Sequence, residues 1–106
     1  MIKILNNIFT NQTAYAAYMQ YLDGIIFNYN TINTNVNGAS GLYAYWWMTN
    51  ARANQIIGNK VTGVYTYGMY LYYIGVNYSN YSTIANNVIQ MGNTGSASAT
   101  YGMFIY

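Results

Sequence analysis

Apolar and polar positions alternate along this chain in short bursts, and the bursts recur. Ile4-Leu5-Asn6-Asn7-Ile8-Phe9 aligns with Phe27-Asn28-Tyr29-Asn30-Thr31-Ile32, with Ile56-Ile57-Gly58-Asn59-Lys60-Val61 and with Ile84-Ala85-Asn86-Asn87-Val88-Ile89. The first and last positions are always bulky and apolar, and the fourth is always Asn: Asn7, Asn30, Asn59 and Asn87. These asparagines stand 30 − 7 = 23, 59 − 30 = 29 and 87 − 59 = 28 residues apart. A second motif follows each copy of the first. It reads Ala16-Ala17-Tyr18-Met19-Gln20-Tyr21, then Gly41-Leu42-Tyr43-Ala44-Tyr45-Trp46, Gly68-Met69-Tyr70-Leu71-Tyr72-Tyr73 and Gly102-Met103-Phe104-Ile105-Tyr106. A period of this length marks a solenoid, in which each repeat needs its neighbours to bury its apolar face.

The residue types select the kind of solenoid. Both motifs alternate with period two and are rich in Tyr, Ile, Val and Thr, which suit a pleated surface, while Gly and Asn punctuate them as turn residues do. The chain is therefore expected to be all-β: a β-solenoid of about four coils spanning 1–23, 24–52, 53–80 and 81–106. The recurring Asn is assigned two structural duties. It tolerates the left-handed backbone of a sharp bend. Stacked at the ~4.8 Å strand spacing, its amide can also donate to the Asn of the next coil and so satisfy polar groups that a tight turn would bury.

The pattern Ile-x-Asn-Asn-x-Ile followed by Gly-Met/Leu-Tyr resembles the right-handed parallel β-helix repeat of the pectate-lyase-like superfamily. It is most similar to the Asn- and Tyr-rich versions in secreted surface proteins of Bacteroidetes, which often carry a sorting domain for type IX secretion. The resemblance covers all four coils and is clearest over Thr83–Tyr106. It implies a right-handed parallel β-helix and an extracellular or cell-surface setting. It leaves function open, because the superfamily includes lyases, hydrolases, adhesins and tailspikes. The chain departs from the family in having few coils and no sorting domain in the sequence.

Alternation in the second motif separates two surfaces. Ala17/Leu42/Met69/Met103 and Met19/Ala44/Leu71/Ile105 are suited to stack inside. Tyr18/Tyr43/Tyr70/Phe104 and Gln20/Tyr45/Tyr72/Tyr106 would then form two outward aromatic ladders. Such ladders stabilise a sheet by roughly 0.2–1 kcal/mol per neighbouring pair. A large exposed aromatic surface also serves association with another protein surface, or stacking against a glycan. Trp46 and Trp47 read as a corner plug and its outward neighbour.

Composition narrows the function. The chain of 106 residues is 54% hydrophobic with 15 Tyr, and its only charges are Lys3, Arg52, Lys60 and Asp23. Three basic residues cannot build the stripe that nucleic acid binding needs. No apolar run approaches the about 18 residues of a spanning helix. Glycosidases need two carboxyl groups and this chain has one, Asp23, next to Gly24 in a turn-forming pair. There is no His for general-base work, and with no Cys a thiolate nucleophile and a zinc–thiolate site are missing. No cofactor, metal or catalytic residue is expected, and Arg52 and Lys60 read as solvated charges. Glycosylation sequons at Asn11, Asn77 and Asn80 are expected by accident in so Asn-rich a chain.

The remaining feature is the pair of ends. Nothing in the sequence reads as a cap, and an open strand edge is a template for another strand. Either the chain is an excised segment of a longer β-helix or copies stack head to tail, a contact that does not close and so yields a filament. The expected role is thus structural or adhesive and non-enzymatic, with self as partner. The alternative is a carbohydrate-binding or polysaccharide-processing segment whose catalytic residues lie elsewhere.

Overall fold

The computed structural model describes residues 1–35, 39–45, 52–74, 81–92 and 101–106. Trp46, Trp47, Asn77 and Asn80 lie outside the described residues. Those described form twelve strands and no helix. The strands are β1 (Ile2–Leu5), β2 (Ile8–Thr10), β3 (Tyr15–Gln20), β4 (Ile25–Asn28), β5 (Thr31–Asn33), β6 (Ser40–Tyr45), β7 (Gln55–Ile57), β8 (Lys60–Val64), β9 (Tyr67–Tyr72), β10 (Thr83–Ala85), β11 (Val88–Met91) and β12 (Tyr101–Ile105). They make three four-stranded sheets, ordered β1-β4-β7-β10, β2-β5-β8-β11 and β3-β6-β9-β12, and every pairing is parallel. Each round of the chain therefore lays one strand in each sheet before returning to the first.

The registers follow the apolar positions. Ile4 pairs with Phe27, Phe27 with Ile56 and Ile56 with Ile84. Leu42 pairs with Ala17 on one side and Met69 on the other, and Met69 with Met103. A one-residue slip would turn each of these side chains out of the core, so burial fixes the register. All three sheets supply one core: Ile25, Phe27 and Ile56 from the first, Ile32, Val61 and Val64 from the second, and Leu42, Ala44, Met69 and Leu71 from the third, every one of them buried. Only the two middle rounds are closed in this way. In the outer rounds Ile4, Phe9, Met19, Ile84 and Ile89 are partly buried, while Met103 and Ile105 are 37% and 50% exposed.

The first motif is a corner between two strands, and the corner differs from the sequence expectation. The left-handed residue is the one before the recurring Asn: Asn6 (φ 56°), Tyr29 (φ 57°), Gly58 (φ 67°) and Asn86 (φ 54°). Asn7, Asn30, Asn59 and Asn87 are not left-handed, which frees their amides for the inter-round contacts described below. Tyr29 is the costly member, because a left-handed L-residue with a bulky side chain is strained by about 1–2 kcal/mol. Its ring lies where a side chain on the next round would start: a Cβ on Gly58 would stand 2.6 Å from a Tyr29 ring carbon. Asn occupies this column in two other rounds and accepts the conformation more readily. Tyr29→Asn is therefore expected to raise the free energy of unfolding by up to about 1 kcal/mol, read as a higher urea midpoint at unchanged slope.

Candidate functional site

The four recurring asparagines form a polar spine along the stack. The Asn30 side-chain Oδ1 accepts from the backbone N–H of Asn7 (2.9 Å) and from its Nδ2 (3.3 Å). Asn59 Oδ1 accepts the same pair from Asn30 at 2.9 and 3.1 Å, and Asn87 Oδ1 accepts from Asn59 at 3.0 and 2.9 Å. Because a backbone N–H can only donate, the amide oxygen must face it, and Nδ2 is left to donate. It donates backward as well, from Asn30 to the Ile4 carbonyl (3.0 Å), from Asn59 to Phe27 (2.8 Å) and from Asn87 to Ile56 (2.7 Å). Asn30 and Asn59 are buried, so these bonds satisfy groups that water cannot reach.

The spine has a direction. The oxygens of Asn30, Asn59 and Asn87 each accept from the preceding round. Among the described residues nothing donates to Asn7 Oδ1, and the Asn87 backbone N–H has no acceptor. One end of the stack thus offers an acceptor and the other a donor at the same lateral position. The same ends carry the sheet edges: β1, β2 and β3 on one side, β10, β11 and β12 on the other.

The outer face of the third sheet is aromatic. Along one column Tyr18, Tyr43, Tyr70 and Phe104 have successive centroid separations of 5.3, 4.4 and 4.9 Å with planes 20°, 6° and 6° apart. Along the next, Tyr45, Tyr72 and Tyr106 stand 5.0 and 4.7 Å apart, at 4° and 10°. Two parallel rings side by side in one plane could not come this close, since their carbons touch at about 3.5–4.0 Å. The rings are therefore stacked face on face along the stack axis. Inside each column the ring faces are used on each other.

A third set joins this face without having been expected there. Tyr67 and Tyr101 stack at 5.6 Å and 7°, and Tyr15 meets Tyr18 at 5.1 Å. Tyr67 also packs edge-on against Tyr70 at 4.9 Å. Strict alternation would have sent Tyr67 to the opposite side from Tyr70. Two successive positions face inward between them, Gly68 and Met69, as Ala16 and Ala17 do between Tyr15 and Tyr18, and Gly68 packs so closely that a Cβ there would collide with the Gly102 carbonyl and the Ile89 side chain. The recurring Tyr-Gly of Tyr67-Gly68 and Tyr101-Gly102 was the available sequence signal.

Crowding changes the phenols. Burial pushes Tyr43 up from 10.0 to about 12, aided by the neighbouring Tyr70 phenol and by a hydrogen bond with it. Tyr70 is also raised, by burial first. Tyr72 is raised chiefly by its hydrogen bond with Tyr73. A raised acid favours the protonated folded state, so this stabilisation is complete below pH 10 and is lost as pH climbs through about 12. The tyrosinate absorbance titration of the native chain is expected to keep a late component near pH 12 that Tyr43→Phe removes and urea abolishes.

Charge plays a small part. Asp23 and Arg52, one round apart, form an ion pair at 3.3 Å, and Asp23 also accepts the Arg52 backbone N–H at 3.2 Å. Arg52 is thus partnered rather than simply solvated, but with both side chains exposed the pair contributes little. Lys60 shares its outward column with Ile8, Thr31 and Val88, and Ile8 is 76% exposed. Among the described residues no three His, Cys, Asp or Glu side chains gather as ligands, and no helix is long and apolar enough to cross a membrane. Comparison of the chain with protein-family models, with curated proteins and with solved structures finds no match to any of them.

Proposed function

We propose that this chain is a structural, non-enzymatic segment of right-handed parallel β-helix that extends by docking a further like coil on each end. In solutions of the chain itself the docked coil belongs to a second copy, and the product is a head-to-tail filament. The observation that carries this reading is the polarity of the asparagine spine. Asn87 of one copy offers its N–H where Asn7 of the next offers a free amide oxygen, so the ladder continues across the junction with the bonds it makes inside. Three further features agree. The end strands carry unpaired backbone groups in all three sheets. Partly exposed core side chains such as Ile105 and Met103 would meet Met19 and Ala17 of the next copy, continuing their columns. Phe104 and Tyr18 each end an aromatic column and would stack on one another. Right-handed winding follows from the strong preference of parallel crossovers for that hand, and resemblance to repeats of secreted surface proteins supports an extracellular, adhesive setting.

The alternative reading, a polysaccharide-binding or polysaccharide-processing segment with catalytic residues elsewhere, would use the same tyrosines. Their ring faces are occupied by one another, which leaves no open faces for sugars within the columns. Sedimentation separates the two readings. The unmodified chain should give an open-ended, concentration-dependent series of species, and Ile105→Lys, at the end of an inward column, should collapse it to monomer. Ile8→Lys should leave it unchanged, since Lys60 already occupies that outward column. A wild-type chain that remains monomeric at high concentration, yet loses a bound glycan on Tyr70→Ala, would reverse the choice.

A further inference from the structure

We infer that the outer face of the third sheet is a site of oxidative tyrosine cross-linking, at which one-electron oxidation joins stacked tyrosines of neighbouring strands through ring carbons. The chemistry sets the geometry it needs. A phenol that loses one electron and its hydroxyl proton becomes a phenoxyl radical, with spin on the oxygen and on the ring carbons ortho to it. Two such radicals couple by forming one Cε–Cε bond, and the orbitals that make it project from the ring faces. The ring hydrogen on each coupled carbon then passes through solvent to its own oxygen, which restores both phenols. Each link releases two electrons and two protons, and hydrogen peroxide acting through a haem peroxidase takes up both to give two waters.

Face-on tyrosine pairs are what this sheet supplies at every step between strands. Tyr18–Tyr43 joins β3 to β6 at 5.3 Å, Tyr43–Tyr70 joins β6 to β9 at 4.4 Å, and Tyr67–Tyr101 joins β9 to β12 at 5.6 Å, with Tyr72 stacked at 4.7 Å on Tyr106 just beyond β12. The chain has no cysteine thiol to be oxidised first. Links at these pairs would staple all four rounds together and shrink the unfolded ensemble, as a disulfide does. The inference does not depend on whether copies stack end to end.

The test treats the folded chain, kept dilute, with hydrogen peroxide and a haem peroxidase. Dityrosine fluorescence is followed, and links are mapped by proteolysis and mass spectrometry, two hydrogens being lost per link. Links between the β6 and β9 segments are expected several-fold more often than any link through Tyr29 or Tyr81, which are exposed but have no ring partner among the described residues. The linked chain should also melt at a higher temperature. Combined Tyr43→Phe and Tyr45→Phe should abolish the β6–β9 links at unchanged circular dichroism, because Phe104 shows that Phe fits a column. The inference is overturned if links are spread equally over Tyr29 and Tyr81, if the urea-unfolded chain gives the same map, or if β6–β9 links survive the double substitution.

Discussion

Asn59→Ala is expected to lower the free energy of unfolding by about 3–5 kcal/mol, the largest loss from any single polar residue. The side chain makes four hydrogen bonds, accepting from the Asn30 N–H and Nδ2 and donating to the Phe27 carbonyl and Asn87 Oδ1. Removing it leaves the buried Asn30 backbone N–H without its acceptor, at about 1–3 kcal/mol, and takes one donor each from the Phe27 carbonyl and Asn87 Oδ1. Against a total stability of about 5–15 kcal/mol for a domain, that is a large share. Asn59→Asp should be at least as damaging, because it replaces the donating Nδ2 by an oxygen facing the Phe27 carbonyl. Asn7→Ala at the end of the spine should cost much less, since Asn7 is exposed and its amide oxygen serves no partner. Urea unfolding of the three variants gives the comparison, and equal losses at Asn59 and Asn7 would contradict the role assigned to burial.

The second large effect is in the core. Phe27 has no exposed surface, sits in register between Ile4 and Ile56, and stacks on Phe9 at 6.2 Å. Phe27→Ala should therefore cost about 3–5 kcal/mol through lost burial and the cavity left behind. Because Ile25, Ile32 and Ile56 of the same core are themselves fully buried and interiors are close-packed, little collapse into the gap is available. Ile84→Ala, in the same column but in an outer round where Ile84 is only partly buried, should cost appreciably less. If the filament forms, that difference should narrow under assembling conditions, as docking of a further coil buries Ile84.

How much of this was legible in the sequence depended on which interaction set each feature. The parallel registers could be read because every round repeats a bulky apolar residue at the same motif position, as with Ile4, Phe27, Ile56 and Ile84. The spacing of the asparagines likewise put Asn7, Asn30, Asn59 and Asn87 in one column. Which residue of the corner turns left-handed could not be read from Asn6-Asn7 or Asn86-Asn87, where either Asn could do it. Gly58 was the discriminating residue, since it marks the third motif position. The third aromatic set was hidden because two successive inward positions, Ala16-Ala17 and Gly68-Met69, break the period of two on which the inward and outward assignment rested. Ring orientation had no sequence signal at all: it comes from packing at the strand spacing, and it decides that faces are spent within the columns. The Asp23–Arg52 pair lies 29 residues apart, the same interval as Asn30 and Asn59, so the repeat length itself pointed to it.

Cryo-electron microscopy of the unmodified chain tests the central claim most directly. Four coils at the ~4.8 Å strand spacing set the axial rise per molecule at about 19 Å, with one molecule per step and the asparagine spine unbroken across each junction. Filaments with that rise are the expected result. Dispersed monomers at high concentration, or fibrils in which each molecule advances the axis by a single strand spacing, would contradict it.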